Sequence, residues 1–194
     1  MIKLISGKVA CFLCKDEERK DNYELYEYAV YIILSSAFHI LTIIILGLCF
    51  NLLVESLVFY FSYIAIRKFA GGYHAKTAIR CYIFSVISII FSLELIKITL
   101  ILNSPLFKCV FLFLVLLCDI IICLLSPMDT ENNPLIDKEK IVYKRITIII
   151  SNVLYLISLV FLVIEYTKFG VSIGLGIVMV LIVLIMRKIQ IVNR

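Results

Sequence analysis

Apolar residues run along this chain in long unbroken stretches separated by short polar breaks. Six stretches stand out: about Tyr28 to Leu53, Leu52 to Ile66, Thr77 or Ala78 to Leu102, Leu106 to Leu125, Ile146 to Ile164, and Val171 to Met186. Several approach or exceed the roughly 20 residues that cross a bilayer as a helix. They are continuous, whereas barrel strands alternate apolar and polar positions over about ten residues. Before the first stretch, Ile2, Ile5, Val9 and Phe12 recur at helical spacing, with Lys3, Ser6, Lys8 and Lys15 on other faces. That pattern predicts a short amphipathic helix lying on the membrane surface. The expected fold is therefore all-α: a polytopic membrane protein with about six transmembrane or partly re-entrant helices and an N-terminal amphipathic interfacial helix. The stretch from Leu52 to Ile66 is short for a full crossing, so it tilts little, thins the bilayer or is partly re-entrant. No compact apolar run followed by a small-residue cleavage site precedes the first span, so that span is expected to be the retained targeting signal.

Composition agrees with this class: 63% of the 194 residues are hydrophobic, against nearer half in soluble domains. The breaks then set the topology. Asn103-Ser104-Pro105 is a turn. Ser126 to Arg145, with Pro127 and Asn132-Asn133-Pro134, reads as a loop ending in the basic cluster Lys138, Lys140, Lys144 and Arg145. Glu165 to Gly170 is a further turn. Gly170, Gly174 and Gly176 are expected on or near one side of the last span, where small residues let helices approach. Lysines and arginines alternate between rich and poor breaks: five before the first span (Lys3, Lys8, Lys15, Arg19, Lys20), none next, then four, two, four, one, and three in the tail. Such a bias places rich segments inside. Both termini, the Arg67 to Arg80 segment and the Pro-containing loop are thus expected on the cytoplasmic side.

Within the spans, Ser35, His39, Thr42 and Cys49 lie close to one helix face and are expected to turn toward other helices. Glu94 and Lys97, at i and i+3, are close enough to pair and mark the far interface. Asp119 is a functional candidate, or is simply protonated, or is bonded to a neighbouring helix. Cys49, Cys109, Cys118 and Cys123 read as small hydrophobes in packed helices. Cys11 and Cys14 have the spacing of a redox pair or half a zinc site, but no second Cys or His pair follows at ligand spacing and no βαβ pattern surrounds them, so the pair is set aside.

The richest chemistry lies in Arg67-Lys68-Phe69-Ala70-Gly71-Gly72-Tyr73-His74-Ala75-Lys76-Thr77-Ala78-Ile79-Arg80-Cys81. A cysteine attacks as thiolate, and a nearby His or a helix N-terminus raises the thiolate fraction. Thr77 can cap a helix whose second turn holds Cys81. Lys76 and Arg80 add positive charge. A single continuous helix would hold His74 and Cys81 roughly 10 Å apart in rise, beyond the ~3 Å contact of a base and its nucleophile. Gly71-Gly72 permits a turn from which His74 folds back over the helix start. By itself, the spacing also suits a basic loop that merely obeys the positive-inside rule.

The pattern Arg67, Gly71-Gly72, His74 and Cys81 at the end of a second apolar segment closely resembles the accessory gene regulator protein B (AgrB) family, bacterial membrane cysteine endopeptidases of peptide quorum sensing. The resemblance covers nearly the whole chain, including the Ser126-Pro127 turn leading to basic residues. It implies one integral membrane peptidase domain over residues 1–194: a cytoplasmic amphipathic segment 1–27, a bundle 28–186 and a cytoplasmic tail 187–194. It implies a His74–Cys81 dyad, no established third residue, and no metal or organic cofactor. It implies an AgrD-like propeptide with an acidic C-terminal tail as substrate, processed to a thiolactone or lactone ring, and a homodimer in the bacterial cell membrane. Arg67, Lys68, Gly71, Gly72, Lys76, Arg80, Lys140, Lys144 and Arg145 are the candidate substrate-binding residues. Two other readings compete. One is a small transporter or scaffold using Glu55, Asp119 and His39. The other is a thiol oxidoreductase using Cys11 and Cys14.

Overall fold

In a computed structural model of the chain, residues 2–13, 23–73, 78–102, 104–128 and 136–192 are described. They form seven helices: α1 (Ile2–Leu13), α2 (Tyr23–Cys49), α3 (Leu53–Ala70), α4 (Ala78–Ile101), α5 (Pro105–Leu125), α6 (Asp137–Val163) and α7 (Thr167–Val192). Five of them, α2, α4, α5, α6 and α7, are long and apolar enough to cross a membrane. The all-α, multi-pass expectation therefore holds. The exception is α3, the segment expected to be short, whose 18 residues include Glu55, Arg67 and Lys68.

The chain divides into two compact units, Met1–Ile45 and Leu46–Arg194. In the first, Tyr23 donates from its hydroxyl to the carbonyl of Gly7 at 3.3 Å, tying α1 to the start of α2. Ser6 and Ala10 of α1 are buried, while Val9 and Phe12 are exposed. These two members of the predicted apolar edge face outward, as an interfacial helix requires. Along α2, Ser35, His39 and Thr42 are half-buried, and Thr42 bonds the Phe38 carbonyl at 2.9 Å.

The second unit is organised around α7. Of its most apolar stretch 67% is buried, against 17–22% for α4, α5 and α6. A helix apolar all round belongs at the centre of a bundle. α3, α4, α5 and α6 all pack on it. Ile66 and Ala70 of α3, Val115 and Ile122 of α5, and Ile177, Val180, Leu181 and Leu184 of α7 share one buried core.

The three glycines of α7 do not share one side, contrary to expectation. A side chain at Gly170 would meet Leu162 and the Ser158 carbonyl of α6, one at Gly174 would meet Phe111 and Val115 of α5, and one at Gly176 would meet Ser62, the Phe59 carbonyl and the Tyr63 nitrogen of α3. The reason is rotation: two helical residues differ by about 200°. A surrounded helix needs a close approach toward each neighbour.

Three further expectations change. The basic cluster is not loop: α6 begins at Asp137, not at Ile146. No Pro follows Pro134, the Ile136 N–H donates to Glu139 at 3.1 Å, and acidic residues in a first turn complement the helix dipole. Likewise the last turn is shorter than Glu165 to Gly170, since α7 starts at Thr167. The cysteines are also less enclosed than packing residues would be. Cys49 and Cys109 are exposed, and Cys118 and Cys123 are intermediate. On outward faces of a membrane helix a thiol meets lipid at little cost.

Other polar groups find partners. Asp119 accepts from the Ser151 hydroxyl, so it is bonded to the neighbouring helix. Glu94 and Lys97 do not pair; the Lys97 ammonium stands 4.4 Å from the Phe50 ring centre. At the same end of the bundle Lys108 pairs with Glu165 at 2.5 Å, and Lys168 pairs with Glu55 at 3.8 Å. The opposite end carries Arg67, Lys68, Arg80, Lys138, Lys140, Lys144, Arg145, Arg187 and Lys188.

The Gly176 contact generates a test. A Cβ there would lie 2.9 Å from Ser62 Cβ and 3.1 Å from backbone atoms of α3, so Gly176→Leu must push α3 off α7. The expected cost is about 1–3 kcal/mol, read as a lower Tm of the detergent-solubilised protein. An unchanged Tm would refute the close approach.

Candidate active site

α3 ends where Gly71 takes φ 78° and Gly72 φ 141°, both in the region that favours glycine. The turn is held on three sides. The Gly71 N–H caps α3 by donating to the Arg67 carbonyl at 3.0 Å, and the Met128 N–H donates to the Ala70 carbonyl at 3.0 Å. Gly71 thereby forms a single parallel bridge with Met128, just past the Ser126-Pro127 turn. Next, the Tyr73 N–H donates to the Val183 carbonyl of α7 at 3.2 Å. A Cβ at Gly72 would sit 2.6 Å from Val183 Cγ1, so the turn lies flush on the central helix.

Arg67 ties the turn from below. Its Nη2 donates to the Tyr73 carbonyl at 3.1 Å. Its Nη1 donates to the Tyr63 hydroxyl, one helical turn back, and the guanidinium also stands 5.4 Å from the Tyr63 ring centre. The Tyr73 main chain, immediately before His74, is thus held at both its N–H and its C=O. His74, Lys76 and Thr77 lie outside the described residues, as does Cys14. The fold-back of His74 and the Thr77 cap belong to that segment.

α4 resumes the chain at Ala78, with Cys81 on its fourth residue. Cys81 is half-buried and carries a free thiol. The approach to a helix N-terminus is the expected setting for a reactive cysteine.

The candidate binding residues divide. Arg67 is committed to internal bonds. Gly71 and Gly72 act through backbone conformation. Lys68 and Arg80 are exposed, and the Lys68 ammonium rests over Phe69. Phe69 meets Tyr143 edge-on, with ring centres 5.7 Å apart. This contact docks the first turns of α6 beside the end of α3 and brings Lys140, Lys144 and Arg145 to the same end as Lys68. Lys144 and Arg145 are exposed, and Lys140 has Asp137 at 4.0 Å. Among the described residues no group of His, Cys, Asp and Glu is placed to hold a metal ion.

Sequence reasoning missed Tyr63, Met128 and Val183. Tyr63 had a signal: it precedes Arg67 by four residues, hence shares its helix face. Met128 and Val183 bond the turn through backbone groups, and Val183 Cγ1 also lies against Gly72; no sequence pattern reveals such contacts across elements.

A multi-pass helical membrane protein with a glycine turn delivering the chain toward a cysteine is the class this arrangement defines. The family model described as Accessory gene regulator B matches residues 6–185. The chain belongs to that family. It is 32% identical over 140 residues to AgrB-like protein 2 of Clostridium perfringens strain 13, a match covering 71% of this chain and 64% of that protein. It is 34% identical over 120 residues to accessory gene regulator protein B of Staphylococcus carnosus, covering 60% of each. These matches thus span less than two thirds of the relatives' own lengths. No solved structure matches the chain.

The turn generates a test. A Cβ at Gly71 would stand 2.3 Å from the Met128 carbonyl oxygen, in a conformation that costs other residues about 1–3 kcal/mol. Gly71→Ala is expected to open the α3–α4 connection to limited proteolysis in membranes. Gly7→Ala, whose nearest neighbour is a Tyr23 hydroxyl at 3.6 Å, serves as the tolerated control. Equal cleavage of both would contradict the pinned turn.

Proposed function

We propose that this protein is a membrane cysteine endopeptidase of peptide quorum sensing, acting on an AgrD-like propeptide. The observation that carries this reading is the pinned Gly71-Gly72 turn, which leads straight into His74 while the next helix presents Cys81. Membership of the accessory gene regulator B family supports it.

In the proposed reaction the Cys81 thiolate attacks the carbonyl carbon that precedes the propeptide's acidic tail. His74 takes the thiol proton and returns it to the leaving amine as the C–N bond breaks. The product is a thioester between Cys81 and the shortened propeptide. An internal cysteine of the propeptide then attacks that thioester, closing a thiolactone ring and restoring the Cys81 thiol; an internal serine would give a lactone. Forming a thioester from an amide is uphill in water, whereas thioester exchange is near neutral. Departure of the tail pulls the first step, and exclusion of water protects the intermediate. A half-buried thiol at the end of an apolar bundle suits that need.

The basic end of the bundle supplies the complementary field for an acidic tail. Lys68, Arg80, Lys140, Lys144 and Arg145 are assigned to tail binding, with Lys76 completing the set. Arg67, Gly71 and Gly72 are assigned to shaping the turn that receives the substrate. The charge bias puts this end, and both termini, in the cytoplasm, where thiols stay reduced. The protein acts as a homodimer in this reading.

Co-expression with candidate propeptides from neighbouring genes tests the chemistry. Cys81→Ala and His74→Ala are each expected to abolish tail removal; retention of cleavage in both would sink the peptidase reading. A Lys144→Glu, Arg145→Glu double variant is expected to raise KM about tenfold with kcat little changed, as removal of uniform binding does. An unchanged KM would release these residues from tail binding.

A further inference from the structure

Asp119 is 2% exposed inside the bundle, and nothing in the chemistry at Cys81 uses it. Its carboxylate accepts from the Ser151 hydroxyl across the α5–α6 contact. α5 carries no Lys, Arg or His after Lys108, and the two helices that pack on it carry none at that depth: α6 has none after Arg145, and α7 none between Lys168 and Arg187. On α3, Arg67 is spent on Tyr63 and Tyr73. A carboxylate so placed is neutralised either by a proton or by a metal cation. A second group bears on that choice. Thr147 is fully buried, and its hydroxyl has no hydrogen-bond partner among the described residues. Other buried hydroxyls find one: Ser62 donates to the Val58 carbonyl at 2.8 Å, and Ser158 to the Gly170 carbonyl at 2.7 Å. An orphaned buried hydroxyl calls for a water or an ion. Thr147 precedes Ser151 by one turn and shares its helix face. α5 ends and α6 begins at the same end of the bundle, since Met128 bonds Ala70 and Tyr143 meets Phe69. The two helices are therefore antiparallel, and Thr147 lies on the basic-end side of the Asp119–Ser151 pair. Two turns beyond Asp119, about 10 Å nearer that end, Ser126 holds a second buried hydroxyl without a partner.

We propose that Asp119, Ser151 and Thr147 form a binding site for one small monovalent cation such as Na+, set between α5 and α6, with Ser126 between it and the surface. The donor set decides the class of ion. A carboxylate and hydroxyls are hard oxygen ligands, unlike the thiolates and imidazoles that select transition metals. One negative charge balances one positive charge, whereas a divalent ion leaves a net charge in the apolar layer, where it is costly. The Ser151 hydroxyl gives its proton to Asp119 and keeps its lone pairs for the ion. Bound there, the cation ties together the two helices that bring Met128 to the glycine turn and Lys144 and Arg145 to the basic end. The proposal goes beyond the endopeptidase reading and does not depend on it.

The test uses the full chain in detergent, with NaCl exchanged for choline chloride at constant ionic strength and pH. Na+ is expected to raise Tm saturably, by about 5–10 °C once it exceeds its dissociation constant roughly a hundredfold. Equilibrium binding of radioactive sodium is expected to saturate at one ion per chain. Asp119→Asn keeps the size of the side chain and an oxygen for Ser151 and removes the charge; it is expected to fold and to lose both the Tm response and the bound ion. Thr147→Val keeps the shape and deletes the hydroxyl. It is expected to weaken sodium binding about tenfold, as loss of one oxygen facing a charge does. Equal Tm in Na+ and choline with no sodium bound overturns the proposal and leaves Asp119 neutralised by a proton. Unweakened sodium binding by either variant also overturns it. Should Asp119→Asn not fold, isotope binding by the wild type and by Thr147→Val decides the matter in the same way.

Discussion

Everything near the thiol depends on how closely α3 can lie along α7. The two helices run parallel, and their register is fixed at three levels. Lys168 meets Glu55 at one end, Gly176 admits the α3 backbone in the middle, and Gly72 rests on Val183 at the other end. The middle contact sets the spacing, because a glycine on one helix lets the other's backbone approach to van der Waals distance. With that spacing, the Val183 carbonyl is within reach of the Tyr73 N–H. Backbone groups withdrawn from water must find partners, and the turn meets this demand by bonding the central helix. The local glycine conformation and the global packing are thus one arrangement.

The helices were legible because their signal is local. Continuous apolar runs identify spans, and Ser104-Pro105 marks the start of α5, where the Phe107 N–H donates to Ser104 at 3.2 Å. The Gly71-Gly72 turn was legible for the same reason. What could not be read was which residue lies across a helix interface. The glycines of α7 looked like one stripe, but the stripe argument assumes a single partner, and α7 has several. The start of α6 was misplaced because the apolar criterion excludes charged turns, although Lys and Glu are good helix formers. Here a helix projects past the apolar layer and carries its cations with it.

Within the site, the residue types were readable and their division of labour was not. Arg67, Lys68 and Arg80 look equivalent as charges in a sequence. The fold separates them. Arg67 bonds Tyr63 and Tyr73, whereas Lys68 and Arg80 are exposed. Arginine suits the first task because its planar fork serves two acceptors in different directions, which an ammonium cannot do in one fixed geometry. Tyr63 escaped notice because an aromatic residue in an apolar helix is ordinarily packing. Only its bond to Arg67 distinguishes it.

The two ends of the bundle treat charge differently, and this difference bears on chemistry as well as topology. At one end Lys108 and Lys168 stand against Glu165 and Glu55, so their fields largely cancel beyond a few ångströms. At the other, Lys68, Arg80, Lys144 and Arg145 are exposed, with Lys140 close behind them. Individually such surface charges contribute little to stability. Together they sum to a positive potential over the low-dielectric mouth of the bundle, where field lines concentrate. The same potential favours anionic lipid headgroups around the rim and draws in any acidic segment that reaches the surface. A chain selected only for orientation needs the cations in any order. Docking of α6 on α3 through Tyr143 and Phe69 gathers them beside the turn that leads to the thiol, which orientation alone does not require.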